Sequence, residues 1–180
     1  ANNLDMKPHI IGISGNMGAR KTTLTEQLSQ EQHSSYLTWD DFDEISISPD
    51  AYIAWSKRGE NYAEWNYPKL AEALKTLKQE KPIPAQPKPP PNSRPYIIFD
   101  APLGRLHQQT GRYIDTWIHL KVPLDVSLCR WLLRDYEKPD KTKTELLAEL
   151  TFYLNASRPL FDDTQFKNAA DLLIDGMKPI

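Results

Sequence analysis

Apolar residues in this chain gather into five short runs, and stretches with helical spacing lie between them. The first, His9-Ile10-Ile11-Gly12-Ile13 within Lys7 to Ser14, is compact enough for a buried parallel strand, with His9 as a strand-start residue. From Lys21, TTLTEQLSQEQ sets Leu24 and Leu28 on one helical face. Ser35 to Trp39 reads as a second strand and Tyr96 to Asp100 (YIIFD) as a third. Tyr113 to Lys121 holds a fourth, with Trp117 in the core and His119 structural, and Asp171 to Asp175 (DLLID) makes a fifth. The intervening helices begin at Ser48-Pro49-Asp50, ending by Gly59, and at Pro68, where Leu70, Leu74 and Leu77 form one stripe. A further helix, DVSLCRWLLRDYEK, is expected to bury Val126, Leu128 with Cys129, Leu132 and Leu133, and a long helix follows from about Thr144 to Phe161. Alternation of this kind predicts a three-layer α/β domain with a five-stranded, mostly parallel sheet.

The junction between the first strand and first helix carries the clearest chemistry. IIGISGNMGARKTTL follows the phosphate-loop pattern G-x-x-x-x-G-K-[ST], with Gly15 at its start, Lys21-Thr22 at its end and Arg20 in the place of the second glycine. Small residues let backbone N–H groups point at phosphates, and the helix N-terminus adds partial positive charge. Gly15, Asn16, Met17, Gly18, Ala19, Arg20, Lys21, Thr22 and Thr23 are therefore the expected nucleotide contacts. In such a loop Lys21 reaches the β- and γ-phosphates of ATP, and the Thr22 hydroxyl ligates Mg²⁺. Arg20 is strained if its position demands a positive φ, although its fork of donors suits a phosphate.

Ligands of open α/β sheets sit beyond the carboxyl ends of the strands, which singles out the acids there. Asp40, in the cluster Asp40-Asp41-Phe42-Asp43, is read as a general base for a substrate hydroxyl or as an Mg²⁺ ligand, against a solvated acidic turn. Asp100 ends the third strand, where a second metal-side carboxylate is expected. Arg105 and His107 follow in a polar loop, weighed as substrate contacts against loop solvation. Arg130 and Arg134 lie four apart on one helix face, as a phosphate clamp or a solvated basic edge. Trp55, Tyr62, Trp65 and Tyr67 are read first as packing residues, against a substrate-facing role for at least one of them.

Composition narrows the setting. At 180 residues, 39% hydrophobic and 26% charged, the chain fits one globular domain. A net charge of −2 gives no footprint for nucleic acid or an anionic membrane. The lone Cys129 excludes an internal disulfide, and with no signal-like or membrane-length apolar run the expected location is the cytoplasm. Lys81 to Pro95 is proline-rich and reads as a stiff polyproline-like surface loop, although its P-x-x-P spacing also suits an SH3-type groove.

Taken together, these residues resemble the uridine kinase and phosphoribulokinase-like group of small P-loop kinases over nearly the whole chain. GISGNMGARKTTL is similar to that group's GxSGxxGSGKTT loop, and TWDDFD stands where the group has D-x-F-Y. EWNYPKLAEAL looks like its F-D-H-P segment, LCRWLLRDY like its arginine-bearing helix, and the tail through ADLLIDG like its closing helix and strand. The resemblance implies an ATP- and Mg²⁺-dependent kinase acting on a hydroxyl of a small molecule, with a nucleoside as the first expectation. It implies Asp40 as catalytic base, Lys21 and Thr22 as phosphate and metal residues, and Asp100 in place of a metal-side glutamate. Arg130 and Arg134 match arginines that hold phosphates, and Asn66 stands where an aspartate grips ribose hydroxyls. The chain departs from the group at Arg20, Asp43, Asn66 and Trp131, and the base-recognition hairpin of uridine kinases is missing. A non-catalytic nucleotide-binding module, with the proline-rich segment docking a protein, is the alternative from another class.

Overall fold

A computed structural model of the protein describes residues 8–32, 34–79 and 96–179. Its centre is a five-stranded sheet in the order β2-β3-β1-β4-β5, made of β1 (His9–Gly15), β2 (Ser35–Thr38), β3 (Tyr96–Asp100), β4 (Thr116–Lys121) and β5 (Leu172–Asp175). Every pairing is parallel. All five strands predicted from the apolar runs are present, β3 with its predicted bounds and the others displaced by one to three residues at one or both ends.

Two apolar layers flank the sheet. On one side α1 (Lys21–Glu31) sets Leu24 and Leu28 against Ile13, Ile98, Ile118 and Leu120. The larger cluster on the other side joins Ile10, Phe99 and Trp117 to Trp39, Trp55, Trp65 and Tyr67 and to the Leu70-Leu74 stripe of α3 (Pro68–Lys78). Trp55 lies on α2 (Tyr52–Lys57), and this aromatic layer bears out the packing role read for Trp55, Trp65 and Tyr67. The register explains a polar seam within the same layer: Ser14 and His119 are opposite each other on β1 and β4, and the Ser14 hydroxyl and His119 Nδ1 are 2.8 Å apart.

Three expectations change. The loop after β3 folds into a 3₁₀ turn at Gly104–Leu106 and a short α4 (Gln108–Gly111). On α5 (Leu124–Tyr136) the buried residue is Ser127, while Cys129 is exposed and Leu133 is 63% exposed, so the expected apolar set does not face a core. The long helix expected to reach Phe161 stops as α6 (Lys143–Phe152) and passes through a π turn at Tyr153–Ser157 into a 3₁₀ turn at Arg158–Phe161. Pro159 lacks the N–H that an α-helix would need there. A further helix, α7 (Thr164–Ala169), leads into β5. The proline-rich segment lies outside the described residues. Among the described residues no helix is long and apolar enough to cross a membrane.

Candidate active site

The parallel register brings three sequence-predicted groups to one edge. Ile13 of β1 and Thr38 of β2 are both partners of Asp100 on β3, so Asp100 ends its strand between the loop that follows β1 and the acidic turn that follows β2. That turn is a 3₁₀ segment, Trp39–Ile45, with Asp40 and Asp41 in its first turn. Trp39 is buried and Asp40 exposed, which anchors the backbone and leaves the carboxylate open. Asp43 is held differently: it accepts from the Tyr67 phenol at 2.6 Å. Burial first, and this bond second, push the Tyr67 phenol well above its ordinary pKa.

The loop from Gly15 to Arg20 is held from several sides. Ala19 N donates to Asn16 O at 2.9 Å, and Asn16 Nδ2 donates to Phe161 O at 2.8 Å. Ser127 of α5 donates to Met17 O, and Arg130 Nη1 donates to Gly18 O at 3.1 Å and to Gly176 O at 3.2 Å. Gly18, at φ 79°, leaves no room for a side chain: an added Cβ would lie 2.8 Å from Ser127 O. Arg20 has φ 67° and ψ 32°, the left-handed region that favours glycine, and it caps α1 without a side-chain hydrogen bond. The first-turn N–H groups of α1 thus start the helix uncapped beneath the loop, an arrangement suited to an anion.

Lys21 Nζ lies 2.8 Å from Asp100 Oδ1, with both side chains largely buried. The contact is an ion pair away from the hydrogen-bonding direction, because Asp100 Oδ1 is buried without a hydrogen bond. This carboxylate oxygen, without a hydrogen bond, and the hydroxyl of Thr22, exposed next to Lys21 in the chain, are the hard oxygen donors that suit Mg²⁺ shared with phosphate oxygens. Among the described residues no group of three or more His, Cys, Asp or Glu gathers as a metal cluster, so these two side chains fit Mg²⁺ only together with a nucleotide.

Other expected contacts are placed elsewhere. Arg105 turns to the amino ends of β4 and β5, where it donates to Asp171 Oδ1 at 3.0 Å, Asp115 O at 2.8 Å and Ile114 O at 3.2 Å. This network corrects its reading as a ligand-edge residue. His107 is fully buried: its Nε2 is 2.6 Å from Trp65 O and its Nδ1 is 2.6 Å from Thr110 Oγ1. A carbonyl only accepts, so Nε2 carries the proton and Nδ1 accepts from Thr110. Both nitrogens are occupied, which corrects the substrate role, and burial holds the ring's pKa below the ordinary value. Arg130 supports the loop from behind. Arg134 is 62% exposed, and its ion-pair partner is its neighbour Asp135, at 3.5 Å.

Asn66 borders a cleft of about 560 Å³ between residues 60–66 and 106–112. Gln109 and Arg112 line the same cleft and were not singled out by the sequence reading. Their spacing from Asn66 carries no motif, and only α4 folding against α3 brings them together.

No known family's sequence pattern matches the chain, and no curated protein matches it. Among solved structures it is similar to a protein provisionally described as a fructose transport system kinase from Silicibacter sp. TM1040. That likeness has 15% identity and a TM-score of 0.59, over 97% of this chain and 93% of the other. It also aligns with TT1252 from Thermus thermophilus, at 15% identity and a TM-score of 0.48, over 94% and 89% of the two chains. A shikimate kinase from Acinetobacter baumannii, in complex with shikimate, aligns at 16% identity and a TM-score of 0.45, over 95% and 84%. The first likeness, with the parallel 2-3-1-4-5 sheet and the loop after β1, shows a three-layer P-loop NTPase fold.

Proposed function

We propose that the protein is an ATP-dependent phosphotransferase that moves the γ-phosphoryl group to a hydroxyl of a small molecule. The observation that carries this reading is the Lys21–Asp100 pair, placed by register between the phosphate loop and Asp40. The similarly folded Silicibacter protein, itself described as a kinase, agrees with it.

Gly15 to Thr23 bind the phosphates through backbone N–H groups, with Lys21 supplying a localised positive charge. Thr22 and Asp100 would hold Mg²⁺ bound with the nucleotide, and the ion would supply charge neutralisation on the phosphates. Asp40, exposed at the same edge, orients the acceptor oxygen and takes its proton. Arg134 adds positive charge from α5, while Arg130 keeps the loop in shape and borders the nucleotide. Positioning and charge neutralisation then account for most of the rate. The family resemblance alone would make the acceptor a nucleoside with Asn66 at its sugar, and the acceptor panel below includes that class for this reason.

The test is ADP release from Mg-ATP across nucleosides and small hydroxylated metabolites, with wild type beside Arg20→Gly. Acceptor-dependent turnover by wild type is the expected result. ATP binding without turnover by either protein, for any acceptor, would replace the kinase with a nucleotide-binding module.

A further inference from the structure

The cleft beside Asn66 has a hydrogen-bonding polarity fixed by backbone groups that have only one role. Tyr67 N–H donates to Gln109 Oε1 at 2.7 Å, and a backbone N–H cannot accept. Gln109 must therefore turn its nitrogen to Asn66, and Nε2 donates to Asn66 Oδ1 at 2.9 Å. Asn66 in turn is left with Nδ2 as its open end, a donor. Its backbone cannot rotate away, because it forms an antiparallel bridge with Ile47 through bonds of 2.8 and 3.0 Å.

Asn61, on the same cleft, repeats the arrangement. Its Oδ1 accepts from Ala63 N at 3.0 Å, which again leaves the amide nitrogen as the open end. Arg112 lines the cleft as well. Its Nε donates to Gln108 O at 3.2 Å, and among the described residues its terminal nitrogens have no ion-pair partner. The one acid in the lining, Glu60, already accepts from Ser56 Oγ at 2.9 Å and from Gln165 Nε2 at 3.4 Å. Two amides held donor-outward and one guanidinium suit a planar anionic acceptor of hydrogen bonds, for which Arg and amide donors supply matching geometry. A sugar diol, held best by an acceptor carboxylate, meets the opposite polarity here.

Buried aromatic contacts connect the lining of the cleft to the residue before Asp40. Trp39, which precedes Asp40, stacks on Tyr67 with ring centroids 4.0 Å apart, and His107 stands 5.2 Å from the same indole. We infer that this cleft holds a carboxylate of the phosphoryl acceptor, so that the substrate is a hydroxy acid and not a nucleoside. The inference rests on the kinase reading for the fate of the hydroxyl, and on the cleft alone for the carboxylate.

Calorimetry with the ATP-loaded protein would compare gluconate with glucitol, glycerate with glycerol, and both acids with uridine. The expected result is that at least one acid binds about tenfold or more tightly than its neutral partner and than uridine. Asn66→Asp, which keeps an acceptor for Gln109 but replaces the outward donor with a negative charge, and Arg112→Gln should each remove that preference. ATP affinity, measured separately, should stay within about twofold of wild type in both. Equal binding of acid and alcohol, preference for uridine, binding of no acid, or an unchanged preference in Asn66→Asp overturns the inference. Failure of the wild type to bind ATP overturns the kinase reading instead, and a carboxylate preference that survives it stands on its own.

Discussion

His119 and Asp163 are 2.7 Å apart in the core, Nε2 to Oδ2, and the other nitrogen of His119 faces Ser14 at 2.8 Å. The Ser14 oxygen accepts from Trp117 Nε1 at 2.7 Å, so its own proton is free to go to His119 Nδ1. One neutral ring thus joins β4 and the start of α7 to the strand that leads into the phosphate loop. Burial, outweighing the pull of Asp163, holds its pKa below the ordinary 6.5, and burial does the same for His107. Each histidine then binds a proton more readily when unfolded. The stability that they contribute is complete above the unfolded value and falls as pH drops through it toward the folded one. Urea denaturation should show lower stability at about pH 5.5 than at about pH 7.5, with a shallower dependence in His119→Gln. An identical dependence in the variant would rule out His119 as a source.

Arg20 carries φ 67° where glycine would be unstrained. Arg20→Gly should stabilise the protein by about 1 kcal/mol, less the extra chain entropy that glycine loses on folding. Arg20→Val should cost about the same or more, because a branched Cβ fits the left-handed region worse. Thermal melts of the three proteins would rank Gly, Arg, Val in descending order.

Gly104 and Gly59 separate clash from backbone strain. Both have positive φ, 51° and 111°, but a Cβ on Gly104 would lie 2.1 Å from the buried Trp117 ring, whereas one on Gly59 would meet nothing within 4 Å. Gly104→Ala should destabilise by about 3 kcal/mol or more, and Gly59→Ala by about 1 kcal/mol. Chemical denaturation would check the difference.

Asp40 and Lys21 should separate transfer from binding. Asp40→Asn removes the proposed base, so turnover should fall about 10²- to 10⁴-fold while ATP affinity is nearly kept. Lys21→Met removes the charge beside Asp100 and should weaken ATP binding itself, read by calorimetry. Turnover retained in Asp40→Asn would end its assignment as base.

The order of apolar runs was enough to determine the strands, their alternation with helices and the loop before Lys21, because a buried parallel strand leaves a local signature of contiguous Ile, Leu and Phe. The place of Arg20 in a glycine position left open in the sequence whether its backbone takes a positive φ, and the structure gives it φ 67°. Asp40 and Asp100 could be named because strand ends are visible in sequence and a parallel register brings them to one edge.

What only the tertiary structure decided is where polar side chains spend their hydrogen bonds. Arg105 and His107 look like loop residues available to a substrate, yet one binds the amino ends of two strands and the other is sealed between Trp65 and Thr110. The helix expected to run to Phe161 is broken by a π turn, and Arg130 donates to one carbonyl of the loop after β1, Gly18 O, and to Gly176 O beyond β5. The donor end of Asn66 depends on Gln109, 43 positions away. Secondary structure follows from near neighbours in the chain, whereas the partner of a polar atom follows from distant segments that meet only once the sheet has formed.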